Sequence, residues 1–396
     1  MRVIFLNRSF RPATTATAQL LTDLASALAE GGTDVVVIAS GRPAGAGDAC
    51  GRLRVRRAGG GSTGADSLLG KAIAWAAFSL TASWALLREA KPGDIIVAMT
   101  DPPLLGIVAG WIARLKSARI IHWVQDIYPE IAMELTSQRW LRLALPLRNS
   151  AWRHADHVVT LGEDMAGVVA GAGVAVERIS VIPNWAPAGL EPYEPDADAV
   201  RDQRRTWGVN DRFVVGYSGN LGRVHDLDPV LDAASLLRGM ESIVFLFVGG
   251  GAQKARLQSE AARRRLTNVR FAGAQPRERL GPALAAADVH LVTLKPGCER
   301  YVYPSKLYGI AAVGRPVVFV GPPECGLARL VTDSGLGRQV DREHPAALAA
   351  TLHELAGNPR ALAAHRAASA AFGRGSRIQA AAAAWKATLD KVKACG

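Results

Sequence analysis

At 396 residues the chain is longer than one ordinary hydrophobic core serves, so two domains are expected. Its 49% hydrophobic and 21% charged content excludes a disordered chain. A net charge of +12 asks for an anionic partner, but 6% aromatic residues without basic–aromatic interleaving argue against nucleic acid.

The N-terminal run Val3–Leu6 turns polar at Asn7, too soon for a signal-peptide apolar region, and reads as a first strand in a cytoplasmic protein. Thr14 to Glu30 carries a helical pattern stopped by Gly31-Gly32. Strands follow at Val35–Ile38, Asp94–Ala98, Arg119–Val124, His157–Leu161 and Ile179–Ile182. These β-branched runs do not alternate, so each is buried on both faces, as in a parallel sheet covered by helices. Two apolar stretches between them could meet a membrane. Ala72 to Leu87 is too short to span and reads equally as a buried helix. Gln138 to Arg153 interleaves Trp140, Leu143, Leu147 and Trp152 with Arg139, Arg142, Arg148 and Arg153, without an acidic residue. That suits a helix lying on an anionic bilayer, with a solvated helix packed on the domain as the alternative.

Residues 186–210, rich in Pro, Ala, Asp and Glu, read as a linker between domains at 1–185 and 211–376. A second α/β series runs through Phe213–Ser218, Ile243–Val248, Val269–Phe271, Val289–Leu294 and Pro316–Val320. The Ala-rich tail, 377–396, reads as a helix returning toward the first domain. Cys50, Cys298, Cys325 and Cys395 are scattered, without CxxC or zinc spacing, and read as free thiols; no metal is expected.

In the second series the strand ending at Ser218 runs into Gly219-Asn220-Leu221-Gly222-Arg223, where glycines let backbone approach a phosphate. Asp226, two residues before Asp228, reads as a helix cap in preference to half of a metal-binding pair. Pro304-Ser305-Lys306 opens a short helix, Pro304 suiting its first position. A lysine at a helix start adds positive charge to a positive dipole end. It is either an ordinary solvated lysine or one facing an anion such as a phosphate.

Together with Asp101-Pro102-Pro103, Val124-Gln125-Asp126-Ile127-Tyr128-Pro129-Glu130, Pro183-Asn184-Trp185, Phe247-Val248-Gly249-Gly250-Gly251 and Gly314-Arg315-Pro316-Val317, these motifs resemble the retaining GT-B glycosyltransferases of family 4. The likeness is to the WbuB/WcaI-like branch of exopolysaccharide, O-antigen and colanic-acid assembly. It covers essentially the whole chain and implies an α/β fold of two Rossmann-like doubly wound domains facing a cleft. The second domain would bind a nucleotide-diphosphate sugar, UDP favoured over GDP, and the first a lipid-pyrophosphate-linked saccharide or polysaccharide acceptor. The resemblance makes Arg223 and Lys306 the cations on the leaving diphosphate, with Asp126 as a third catalytic candidate, which as a helix cap would be structural only. Donor contacts would come from Gly219, Asn220, Gly222, Ser305 and Tyr308, with Gly273 near the base. Acceptor-side contacts would come from Asn7, Arg11 and Gln125. The broad family's paired glutamates fall at Tyr301 and Gly309 here, leaving the ribose without its carboxylate; Glu324 is the substitute. No cofactor is expected, and the protein would lie peripherally on the inner face of the plasma membrane. The other readings are a sugar-nucleotide epimerase of the same fold and a catalytically silent nucleotide-sugar-binding regulator.

Overall fold

The computed structural model describes residues 1–41, 49–59 and 68–394, so Cys395 lies outside the described residues. The chain forms two compact units. The first comprises Met1–Asn184, the short segment Tyr301–Tyr303 and the chain from Ile378 onward; the second comprises Trp185–Arg300 and Pro304–Arg377.

Unit 1 begins with β1 (Arg2–Leu6), α1 (Ala16–Glu30), β2 (Asp34–Ser40), β3 (Ala49–Cys50), β4 (Leu53–Ala58) and α2 (Leu68–Glu89). It continues with β5 (Ile95–Met99), α3 (Leu105–Leu115), β6 (Arg119–Trp123), α4 (Glu130–Thr136), α5 (Leu145–Arg153), β7 (His157–Thr160), α6 (Glu163–Gly171) and β8 (Ile179–Val181). The sheet runs β3-β4-β2-β1-β5-β6-β7-β8, parallel except for the antiparallel β3. One face is covered by α2, α3, α5 and α6, whose Phe78, Leu86, Ile112, Trp152 and Val169 share a core with Ile4, Val36 and Ile96 of the strands. The apolar run 138–153 is not one helix. A 3-10 turn, Arg139–Ala144, feeds α5 at Leu145, with Pro146 in the first helical turn, where a missing N–H is harmless.

Unit 2 contains α7 (Asp198–Trp207), β9 (Phe213–Ser218), α8 (Asp228–Leu236), β10 (Ile243–Val248), α9 (Lys254–Arg263), β11 (Val269–Ala272), α10 (Leu280–Ala285) and β12 (Val289–Thr293). Then come α11 (Lys306–Ala312), β13 (Val317–Val320), α12 (Gly326–Asp333), β14 (Gly337–Val340), α13 (Pro345–Gly357) and α14 (Pro359–Gly375). Its six-stranded sheet runs β11-β10-β9-β12-β13-β14, every neighbour parallel. The order therefore reverses between β9 and β12, and that switch point is where doubly wound sheets bind ligands.

The stretch predicted as a linker contains α7, which packs on unit 2. Val200 and Val209 are buried, and Arg204 reaches Asp288 at 2.5 Å and the carbonyl of Ala286 at 2.8 Å. Composition suggested a linker because α7 buries one narrow stripe while the rest of it is charged. The tail helix α15 (Ile378–Ala394) belongs to unit 1, where the Trp385 ring sits edge-on to Trp123, centroids 4.9 Å apart, and to Phe5 at 6.4 Å.

Candidate active site

In unit 2 the residues after β9 and β10 interlock. The N–H of Gly219 bonds to the carbonyl of Val248 at 2.9 Å, and that of Leu221 to the carbonyl of Gly250 at 2.7 Å. Gly249 has φ +135°, and a Cβ there would lie 2.1 Å from the Gly219 oxygen, so no other residue fits. Two loops thus make one glycine cradle at the switch point. Lys306, the first residue of α11, lies against it: a Cβ on Gly219 would sit 3.7 Å from the Lys306 Nζ. That Nζ is buried 3.6 Å from the centroid of the Tyr217 ring and has no hydrogen-bond partner. Burial pushes its pKa well down. An ammonium closed off from water with only an aromatic face beneath it is costly, and an anion in the cradle would offset that cost.

His225 extends the same wall. Its Nδ1–H donates to the Thr293 carbonyl at 2.7 Å, at the end of β12, and burial, then the Lys306 charge, lowers its pKa to about 3. The ring is therefore neutral, with its lone pair on Nε2. Arg223 follows the cradle on the exposed turn after Gly222. Ser305 caps α11 through its backbone, with no side-chain cap bond.

Two sequence-based expectations in this unit, for Asp226 and Pro304, are corrected. Asp226 is not a helix cap: Leu227 holds that place, and Asp226 is buried in an ion pair with Arg342 at 2.5 Å. The Tyr308 side chain is buried, 1% exposed, and stacks on Phe372 of α14. Pro304 precedes α11 and its cap, so it is outside the first helical position. Gly273 is exposed after β11, its carbonyl accepting from Gln275 at 3.1 Å. Glu324 is exposed between β13 and α12, and its carbonyl accepts from Arg329.

In unit 1 the sheet order reverses between β1 and β5. The loop after β1 is sewn to the loop after β5: Arg8 Nε meets Asp101 Oδ1 at 2.9 Å and Ser9 Oγ meets Oδ2 at 2.9 Å. Asn7 is fully buried, its Nδ2 donating to the Ser9 carbonyl, with Oδ1 unpartnered. Arg11 lies over the Phe10 ring, 5.6 Å from its centroid. After β6, the backbone N–H groups of Gln125 and Asp126 both approach Thr100 Oγ1, at 3.3 and 3.2 Å. Gln125 is buried with its Nε2 unpartnered.

Asp126 bridges to Val302, and the N–H of Ile127 bonds to the carbonyl of Tyr301 at 3.0 Å, so Tyr301–Tyr303 lies strand-like along this loop. Tyr301, standing where the broad family has a glutamate, packs with Tyr303 against the unit 1 core. Asp126 is no helix cap either, since α4 is capped at Pro129. Asp126 lines a small cavity of about 30 Å³ with Thr100, His122, Tyr128 and Arg148. Burial, then the charge of Asp101, raises its carboxyl to about 6, and burial lowers His122 to about 4. A carboxyl poised near neutrality beside a neutral imidazole can accept or return a proton at physiological pH. Thr100, His122 and Tyr217 escape sequence reasoning because His122 and Tyr217 are single residues of ordinary buried strands and Thr100 is the half-buried residue that follows one. Arg148, expected on a membrane-facing helix, is instead buried, paired with Glu130 and stacked on Trp152 at 3.8 Å.

Residues 15–185 match the glycosyl transferase 4-like domain, and residues 212–358 match the glycosyl transferases group 1 family. A colanic acid biosynthesis glycosyl transferase, WcaI of Escherichia coli (strain K12), is 32% identical over 278 residues, 67% of each chain. The chain belongs to this glycosyltransferase family. The glycosyltransferase WbjE of Pseudomonas aeruginosa is 26% identical over 297 residues, 73% of each chain. Among solved structures, HepE of Anabaena in complex with UDP-glucose aligns with a TM-score of 0.76 at 20% identity over 99% of this chain and 100% of that one. Sucrose-phosphate synthase of Thermosynechococcus elongatus gives 0.79 at 16% over 100% of both. The two parallel sheets are thus those of a GT-B enzyme, and the protein is a glycosyltransferase; the family membership favours neither the epimerase nor the silent-regulator reading.

Proposed function

We propose that this glycosyltransferase moves a sugar from a nucleoside diphosphate donor held at the glycine cradle of unit 2 to a lipid-pyrophosphate-linked or polysaccharide acceptor presented by unit 1, with retention at the anomeric carbon and without a metal. The observation that carries the reading is the Lys306 amine, buried beside Gly219 without a hydrogen-bond partner. As the bond from the anomeric carbon to the diphosphate breaks, negative charge grows on the leaving oxygen, where Lys306 and the neighbouring Arg223 would stabilise it. The acceptor oxygen forms the new bond to that carbon, and its proton passes to the departing diphosphate. Asp126, with its raised carboxyl, would orient the acceptor hydroxyl. UDP is the favoured nucleotide because HepE, of the same fold, is solved with UDP-glucose. The colanic acid biosynthesis relative, WcaI, supports a cell-surface polysaccharide product, and we take the acceptor to be held at the inner membrane leaflet. No helix among the described residues is long and apolar enough to cross a membrane, and we place the protein peripherally on that leaflet.

The test is donor turnover by purified protein. Lys306→Ala should lower it about a hundredfold or more, and Arg223→Ala should also lower it strongly, each removing charge from the leaving group. EDTA should leave the rate unchanged. Near-normal turnover in both variants, or a strict metal requirement, would reject this site.

A further inference from the structure

The helices covering one face of the unit 1 sheet bury their inner stripes in the core, so their outer stripes should be polar. They are not. On α2 the exposed large side chains are Ile73, Leu80 and Trp84; at α3 they are Leu104, Trp111 and Leu115. Ile73, Leu80 and Trp84 are spaced seven and then four residues apart and Trp111 and Leu115 four apart, which keeps each set to nearly one line along its helix. Leu104 caps the start of α3. The 3-10 turn and α5 add Trp140, Leu143 and Leu147. These side chains are between 37% and 77% exposed. They are nine of the twelve most exposed large hydrophobics among the described residues, so the apolar surface is concentrated, not scattered. The segments are neighbours: Trp111 and Leu147 line one shallow groove with Arg114 and His154, and α3 packs against α2.

Within these three segments the charges have one sign. Arg88, Arg114, Arg139, Arg142 and Arg153 are exposed, and there is no Asp or Glu anywhere in 72–88, 104–116 or 138–154. We propose that this three-segment face docks on an anionic lipid bilayer, its tryptophans at headgroup level and its arginines on lipid phosphates. The inference deepens, and rests on, the membrane-held acceptor proposed above, and it assigns the contact to surface that includes α3. A second copy of the chain fits the face poorly. A two-fold interface would oppose the arginines of one copy to those of the other with no carboxylate between them.

Vesicle co-sedimentation, without donor or acceptor, tests the proposal. Wild-type protein should pellet with mixed phosphatidylcholine–phosphatidylglycerol vesicles far more than with phosphatidylcholine alone. Trp111→Ser with Leu115→Ser should weaken that binding about tenfold or more. Arg114→Gln, Arg139→Gln and Arg142→Gln together should remove most of the preference for the anionic lipid. An unchanged unit 1 transition in thermal melts, with an unchanged near-UV circular dichroism signal, would show that the variants fold. For wild type, brominated acyl chains should quench tryptophan fluorescence, because Trp84, Trp111 and Trp140 are exposed while Trp123, Trp152, Trp185 and Trp385 are buried. Unchanged binding by the α3 variant overturns the proposal, as does absent quenching. So does a wild-type dimer that the α3 substitutions disperse while leaving vesicle binding intact. Lys306→Ala should bind vesicles like wild type, so failure of the docking face and failure of the donor site read out separately.

Discussion

Lys306 shows how a single side chain can be stable only because of what lies under it. Its amine rests on the Tyr217 ring at 3.6 Å, and the Tyr217 hydroxyl in turn donates to the Asn220 carbonyl at 3.0 Å inside the cradle. The ring face supplies cation–π attraction of order 1–2 kcal/mol in a desolvated site. Tyr217→Phe keeps that face, whereas Tyr217→Leu removes it and frees the amine to swing away. The expectation is near-wild-type donor affinity for the first and roughly a tenfold loss for the second, read as KM for the donor. Equal behaviour of the two variants would reject the positioning role. Asp126 is the counterpart in unit 1. Its folded carboxyl, at about 6, stands above its ordinary value of 3.8, so the folded state holds its proton more tightly than the unfolded chain. Stability from this group is present below pH 3.8 and is lost as pH rises toward 6. Asp126→Asn should therefore stabilise the protein at pH 7 by about 1–3 kcal/mol, since the carboxylate is only partly buried, and by almost nothing at pH 4. Denaturant midpoints at the two pH values check this. Residue-scale facts of this kind are the least legible in sequence. Lys306 stands out through its helix-start position, but nothing in Phe213–Ser218 marks Tyr217 as its seat, because that contact joins strands and helices far apart in the chain.

At the level of elements, the strands are legible because buried parallel strands need continuous β-branched runs, and Val35–Ile38 or Val317–Val320 can hardly be read otherwise. Amphipathic helices with polar outer faces are harder. The α7 segment reads as linker until Arg204 finds Asp288. The 138–153 run reads as one surface helix until Arg148 and Trp152 turn inward and split its two faces. Direction of a face is a tertiary property, and composition carries only its average. The tail helix α15 has an Ala-rich pattern that announces a helix, but the use of Trp385 depends on Trp123 and Phe5 in strands of unit 1. Trp385 is fully buried, and Leu389 beside it equally so. Truncating such a ring leaves a large cavity, and Trp385→Ala should cost unit 1 about 3–5 kcal/mol. The proposed nucleotide site lies in unit 2, so the variant's melt should show a weakened transition while UDP still raises the stability of what remains. A variant that melts like wild type would mean that α15 is not part of the unit 1 core.

For the whole molecule, pH acts through buried imidazoles. His122 and His157 lie in unit 1 and His225 and His290 in unit 2, all at most 7% exposed. Burial lowers His122, His157 and His290 to about 4 and His225 to about 3, with Lys391 and Arg178 adding to the effect at His157 and Lys306 at His225. His290 donates from Nε2 to the Leu284 carbonyl at 2.8 Å, and His157 Nε2 meets Ser180 Oγ at 2.8 Å, so these rings are fixed parts of the core. The unfolded chain protonates its histidines near 6.5, whereas the folded chain resists protonation until about 4. The stability these rings contribute is therefore fully present above pH 6.5 and is lost as pH falls from there toward 4, by up to about 3 kcal/mol for each ring lowered to about 4 and more for His225. The opposite contribution of Asp126 recovers only part of this. A chain already at +12 gains further positive charge as it is acidified, and self-repulsion acts in the same direction. The denaturant midpoint should thus fall steeply between pH 6.5 and 4, with a shallower fall already from pH 8 to 7 because burial also lowers the Lys306 amine below its unfolded value. Because each unit holds two of these histidines, both transitions should shift. His290→Gln, which keeps a donor for Leu284 but cannot titrate, should shallow the fall for unit 2 alone. A midpoint unchanged down to pH 5 would show that the buried rings already protonate in the folded state.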